Sequence, residues 1–81
     1  MATVVTTVTT AEAHHALNVD ATPTNLVPLQ NAALHVLQHN FPGNGVTAVH
    51  AEIAAGGHAV KFTVTYSHNI LNADVVKPFL K

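Results

Sequence analysis

Thr3 to Thr9 is an unbroken run of valine and threonine, every residue branched at Cβ. Branching restricts χ1 and suits a pleated strand, and a period of two puts Val4 and Val8 on one face and Val5 on the other. The pattern then blurs. Ala11 to Asp20 reads either as a short helix capped by Thr10 or as a strand continued through His15 to Val19 after a bend. Thr22-Pro23-Thr24-Asn25 is a turn, with Thr24 or Asn25 placed to cap a following helix and Pro28 in its first turn, where a missing N–H costs little.

From Leu26 to Phe41 the period lengthens to that of a helix. At 100° per residue Leu26, Leu29, Ala33, Leu34, Val36, Leu37 and Phe41 share one broad stripe, with Asn31, His35, Gln38 and His39 opposite. This predicts an amphipathic helix of about four turns, stopped by Phe41-Pro42-Gly43-Asn44-Gly45.

Val46 to His68 returns to alternation on both sides of Gly56-Gly57. Glycine tolerates the positive φ that two-residue hairpin turns demand. With Ala55 facing His58, counting outward sets Ile53 against Val60, Ala51 against Phe62, Val49 against Val64 and Thr47 against Tyr66 on one apolar face. The other face pairs Glu52 with Lys61, an expected ion pair, His50 with Thr63, and Ala48 with Thr65. A slip of one residue would mix the faces and separate that pair.

Beyond His68, Pro78 argues against a central strand, so residues 69–81 are expected to form an extended arm or edge strand. The expected fold is α+β over a single domain, residues 1–81. It has a small single-layer antiparallel sheet in the order β-α-β-β, one amphipathic helix packed on one face, and a C-terminal extended arm.

Composition narrows the function classes. A chain of 81 residues holds one core, burying roughly 60–65% of its extended surface, so a partner or staple would help it. There is no cysteine for a disulfide or a thiolate. Charged residues make up 9%, against about 25% in ordinary domains, and the cations are Lys61, Lys77 and Lys81 alone. Neutralising several phosphates takes several cations, so no nucleic-acid partner is expected, and a net charge of −1 steers nothing. The N-terminus has no basic region followed by an apolar run, and no apolar stretch nears the ~20 residues of a spanning helix. The expectation is a chain made in the cytoplasm without a signal peptide and not held in a membrane.

Seven histidines are the one chemical oddity. His35 and His39 stand at i, i+4 on the polar face of the helix, a spacing at which two imidazoles can share a metal. Asp20 and Glu52 have no reason to converge there, and solvated surface histidines explain the pair more simply. His50, Glu52 and Lys61 share a strand face and read as a surface ion-pair cluster rather than acid–base machinery. The single serine, Ser67, lies in no nucleophile elbow, no phosphate loop is present, and four aromatic residues make no stacking platform. No catalytic residue and no cofactor are expected; the chain reads as a non-enzyme.

What remains is a flat outer sheet face of small, nearly uncharged residues, where an ordinary solvent face would carry lysines and glutamates. Low charge favours burial in a contact. The expectation is a structural or interaction protein, a homo-oligomer or a subunit built among neighbours. Its candidate interface is Ala48, His50, Thr63 and Thr65 on the sheet with Val75, Val76, Phe79 and Leu80 on the arm. By composition this suits a phage virion component such as a capsid-decorating or tail protein. The alternative is a metal- or pH-responsive binding module, since seven imidazoles near a pKa of ~6.5 would change the net charge on mild acidification.

Overall fold

The computed structural model describes all 81 residues. Strand β1 (Ala2–Thr9) leads directly into helix α1 (Thr10–Leu17). A 3-10 turn at Pro23–Asn25 opens into α2 (Leu26–Asn40), and the hairpin of β2 (Ala48–Ala54) and β3 (Ala59–Tyr66) follows. A short helix α3 (Ala73–Val76) runs into a last 3-10 turn at Lys77–Phe79. The molecule is a small α+β fold with a three-stranded antiparallel sheet in the order β1-β3-β2. β3, last of the strands in the chain, is central in space.

The hairpin register is the one that alternation dictates. Ile53 faces Val60, Ala51 faces Phe62, Val49 faces Val64 and Ala48 faces Thr65. His58 N–H closes the turn on the Ala55 carbonyl at 3.2 Å, and both glycines have positive φ, +66° at Gly56 and +97° at Gly57. A side chain is strained there, which is why glycine holds both positions. Thr47 departs from expectation. It lies outside the ladder, exposed, with its N–H donating to the Thr65 carbonyl at 2.9 Å, and Val46 is buried beside it.

β1 joins the far side of β3, from Ala2 opposite Tyr66 to Thr9 opposite Ala59. Its inward side chains Val4, Thr6 and Val8 meet Val60, Phe62, Val64 and Tyr66 of β3 and Val49 and Ala51 of β2 in one buried face. The open question between strand and helix after Thr9 resolves as helix. Thr9, one residue before the expected Thr10, is the N-cap: its Oγ1 accepts from Glu12 N–H and its N–H donates to Glu12 Oε1, both at 3.0 Å. This capping box satisfies two donors that a helix start would otherwise leave bare, and Ala13 and Leu17 turn onto the core. Asn18 ends the helix in the left-handed region at φ +55°, its N–H returning to His14 O at 2.8 Å. Two helices of two turns or more, rather than one, therefore separate β1 from β2.

α2 presents Leu29, Ala33 and Leu37 to the core, each fully buried, with Leu26, Leu34 and Val36 half-buried along the stripe margins. Asn25 holds the N-cap position but makes no side-chain cap, because the 3-10 turn already leads the backbone into the helix. The helix lies along β2, and two of its glutamines bond that strand's flank. Gln30 Oε1 accepts from Ala51 N–H at 2.9 Å, and Gln38 Nε2 donates to Val46 O at 3.0 Å. Gln38, expected to face solvent alone, is thus a strap between helix and strand.

The expected C-terminal extended arm is corrected. Residues 73–79 are helical, and the segment folds beneath β1. Val76 and Leu80 stand at i, i+4 and are fully buried, so the apolar side chains that suggested a tie to a neighbour complete this chain's own core. Pro78 sits early in the last 3-10 turn, where no helical N–H is needed. Tyr66 Oη anchors the connection, accepting from Leu71 N–H at 3.1 Å and donating to Leu71 O at 3.3 Å. A polar clasp joins the loops at the same end of the sheet. Asn44 O accepts from Ser67 and His68 N–H at 3.1 and 2.9 Å, and Asn44 Nδ2 donates to His68 O at 3.1 Å. Gly45 has φ +63°, and a Cβ there would run into the Ser67 hydroxyl and the His68 ring, so the clasp leaves room only for glycine.

Candidate functional site: the bare face of the sheet

Buried side chains of all three helices join one core with the inward face of the sheet, and the alternating burial along the strands leaves the other face open. The period of two and the observed register build this face row by row. Thr65 lies between Thr3 and Ala48, Thr63 between Val5 and His50, Lys61 between Thr7 and Glu52, and Ala59 between Thr9 and Ala54. The β1 and β2 members are exposed except for half-buried Ala54, and the central Ala59, Thr63 and Thr65 are half-buried by their neighbours alone. Five threonines, four small or branched apolar residues and one histidine surround a single Glu52–Lys61 position. Hydroxyls and methyls at this density make a surface that accepts hydrogen bonds and apolar contact with little charge to desolvate.

The charged row does not pair as expected. Glu52 and Lys61 are register partners, yet the carboxylate makes its close contact along its own strand, Glu52 Oε1 lying 3.3 Å from His50 Nε2. Both side chains are more than half exposed, where such a pair is worth a few tenths of a kcal/mol to about 1 kcal/mol. The ammonium of Lys61 is left to water.

Of the expected interface residues, Ala48, His50, Thr63 and Thr65 therefore share one surface. Val76 and Leu80 are removed from it by burial in the core. Val75 and Phe79 stay partly open at 45% and 36% exposure, and Phe79 packs edge-on against Phe41 at 5.3 Å between ring centres. These two belong to the helical layer, opposite the bare face.

His35 and His39 are exposed on the outer side of α2, and no set of three His, Asp or Glu residues converges to hold a metal ion anywhere in the molecule. His14 Nδ1 meets Asp20 Oδ1 at 3.0 Å across the end of α1. Ser67 Oγ and His68 Nδ1 lie 2.7 Å apart, but the Ser67 hydroxyl also reaches the Gly45 carbonyl at 3.4 Å as part of the clasp. No pocket opens beside them. Glu12 is held more acidic than an ordinary glutamate. The hydrogen bond from Thr9 N–H lowers its pKa from the usual 4.5, aided by the Thr9 hydroxyl and the charges of Lys81 and Lys77.

β1's contribution to the bare face was not among the expected site residues. Thr3, Val5, Thr7 and Thr9 complete it, and the signal was the same Thr/Val alternation that marked the strand; what it lacked was a partner strand to place it beside. No helix is long and apolar enough to cross a membrane. No protein-family model, curated protein or solved structure matches the chain.

Proposed function

We propose that this protein is a structural subunit that self-associates or inserts among neighbours in a larger assembly, and that the bare face of its sheet is the surface those neighbours cover. The observation that carries this reading is a whole sheet face, three strands wide, with one anionic and one cationic side chain. A three-stranded layer covered on one side normally spends its open side on charge, which keeps monomers apart. Here the open side is threonine, alanine and valine. A small core, with 19 of 81 residues buried, gives a further reason for neighbours, because binding the folded form stabilises it by mass action. The charge-poor composition suits a virion layer among such assemblies.

Light scattering behind a sizing column, at neutral and mildly acidic pH with and without EDTA, tests the proposal. A mass well above the 8.5 kDa of one chain, indifferent to chelator, is expected. A single 8.5 kDa species at every concentration and condition overturns self-association. A mass that collapses with EDTA would instead bring His35 and His39 to the centre.

A further inference from the structure

The two edges of the sheet are finished differently. On β2, Gln30 occupies the outward N–H of Ala51, Gln38 the nearby carbonyl of Val46, and the helix carrying both lies alongside. On β1 the ladder to β3 consumes alternate residues. Thr10 N–H donates to His58 O at 3.0 Å, and counting back by twos turns Val8, Thr6 and Val4 towards β3. The N–H and C=O groups of Thr3, Val5 and Thr7 therefore point away from the sheet, and β1 has no other strand beside it. The next outward N–H, that of Thr9, is taken by Glu12. What is left is a short open edge of β-branched residues with no lysine, proline or bulge to blunt it, the devices by which monomers keep such edges from pairing.

We propose that β1 pairs antiparallel with β1 of a second copy across a two-fold axis at Val5, doubling the sheet. This rests on the assembly reading and names its primary contact. The strand is self-complementary about that axis. Val5 faces Val5 of the partner subunit and Thr3 faces Thr7 of the partner subunit, so β-branched side chains meet β-branched ones. Each facing pair exchanges two main-chain hydrogen bonds through groups the monomer leaves to water. No charged side chain lies between Ala2 and Thr9, so the strands themselves bring no charge into the contact. The Thr9–Glu12 box also selects the register, since sliding the copies to seat Thr9 opposite Thr3 would cost the helix its cap. Joined this way, the two bare faces become one continuous surface, which is the surface the assembly reading requires.

Because the chain has no cysteine, a single introduced thiol reports this contact directly. Facing hydrogen-bonded residues of antiparallel strands lie about 5.5 Å apart at Cα, inside the range of about 4.4–6.8 Å that a disulfide spans. Sheets stacked face to face lie about 10 Å apart, outside it. Under mild oxidation Val5→Cys, at an exposed position, is expected to convert to a covalent species of twice the 8.5 kDa chain mass. Thr63→Cys, on the same face but in the central strand, is expected to stay unlinked. A larger native mass with no Val5→Cys link overturns edge pairing and leaves the assembly reading standing. Linking of Thr63→Cys as fast as Val5→Cys reports random collision and also overturns it. An 8.5 kDa mass for the wild-type chain throughout, with no link in either variant, overturns edge pairing and self-association together.

Discussion

Phe62 and Thr63 are neighbours in β3 and face opposite ways. Phe62 is fully buried among Val4, Val8, Val60, Val64 and the apolar stripes of the helices, whereas Thr63 is half-open between Val5 and His50. A single residue step therefore separates the place where the fold is held together from the place proposed to meet other molecules. The inner face takes its stability from area removed from water, at roughly 25 cal/mol per Å². The outer face keeps the fold's shape while contributing little to it. Stability is concentrated on one side of the sheet and the proposed contacts lie on the other, so substitutions on each side should fail differently.

Phe62→Ala is expected to have the largest effect, about 3–5 kcal/mol from lost burial and a cavity. Against the total of about 5–10 kcal/mol typical of small domains, that leaves little folded protein, as urea denaturation followed by circular dichroism would show. An unchanged urea midpoint would mean that the inner face is not the core. Leu80→Ala follows, at about 2–5 kcal/mol. A side chain on a free arm would lose well under 1 kcal/mol, so this substitution separates a C-terminal segment folded beneath β1 from one extended into solvent.

Thr9→Ala removes the cap of α1 and is expected to cost about 1 kcal/mol. The same box gives a pH dependence. Folding lowers the pKa of Glu12 below its usual 4.5, so its contribution is present above the unfolded value and is lost as pH falls through the lower, folded one. Glu12→Gln should flatten the acid limb of the stability profile, and an unaltered limb would separate the box from acid unfolding. Smallest of all, Thr63→Lys is expected to change the stability of the isolated chain by about 0.5 kcal/mol or less. A loss of several kcal/mol there would show that the outer face is structural after all.

What the sequence made legible follows the same division. The hairpin register was readable because alternation on both sides of Gly56-Gly57 fixes each face independently of the rest of the chain. α2 was readable because its apolar stripe runs for four turns. α1 was ambiguous by periodicity, since Ala-Glu-Ala-His-His-Ala-Leu suits either period; the decisive signal was the Thr9-x-x-Glu12 box lying across the strand–helix boundary. α3 is four residues long, too short to show a period, and tertiary burial of Val76 and Leu80 sets its conformation rather than propensity. Pro78 pointed to an extended edge because proline is excluded from ladders, yet it is equally at home in the first turn of a helix. The straps from Gln30 and Gln38 join residues whose proximity only the folded chain establishes. On the outer face, the β2 and β3 rows followed from counting, while the row from β1 needed the knowledge that β1 docks on β3.

That docking orders events in time. β2 and β3 meet through a hairpin, and α2 lies just before them, so this part of the molecule assembles from contacts close in the chain. β1 has no local partner: Ala2 pairs with Tyr66, and the segment that supports it from below comes later still. Contacts this distant are slow to close. During synthesis β1 must wait, unpaired on both edges, until β3 has been made. In that interval its lack of charge, which in the finished fold leaves the edge open to a second copy, exposes the nascent chain to pairing with the wrong neighbour.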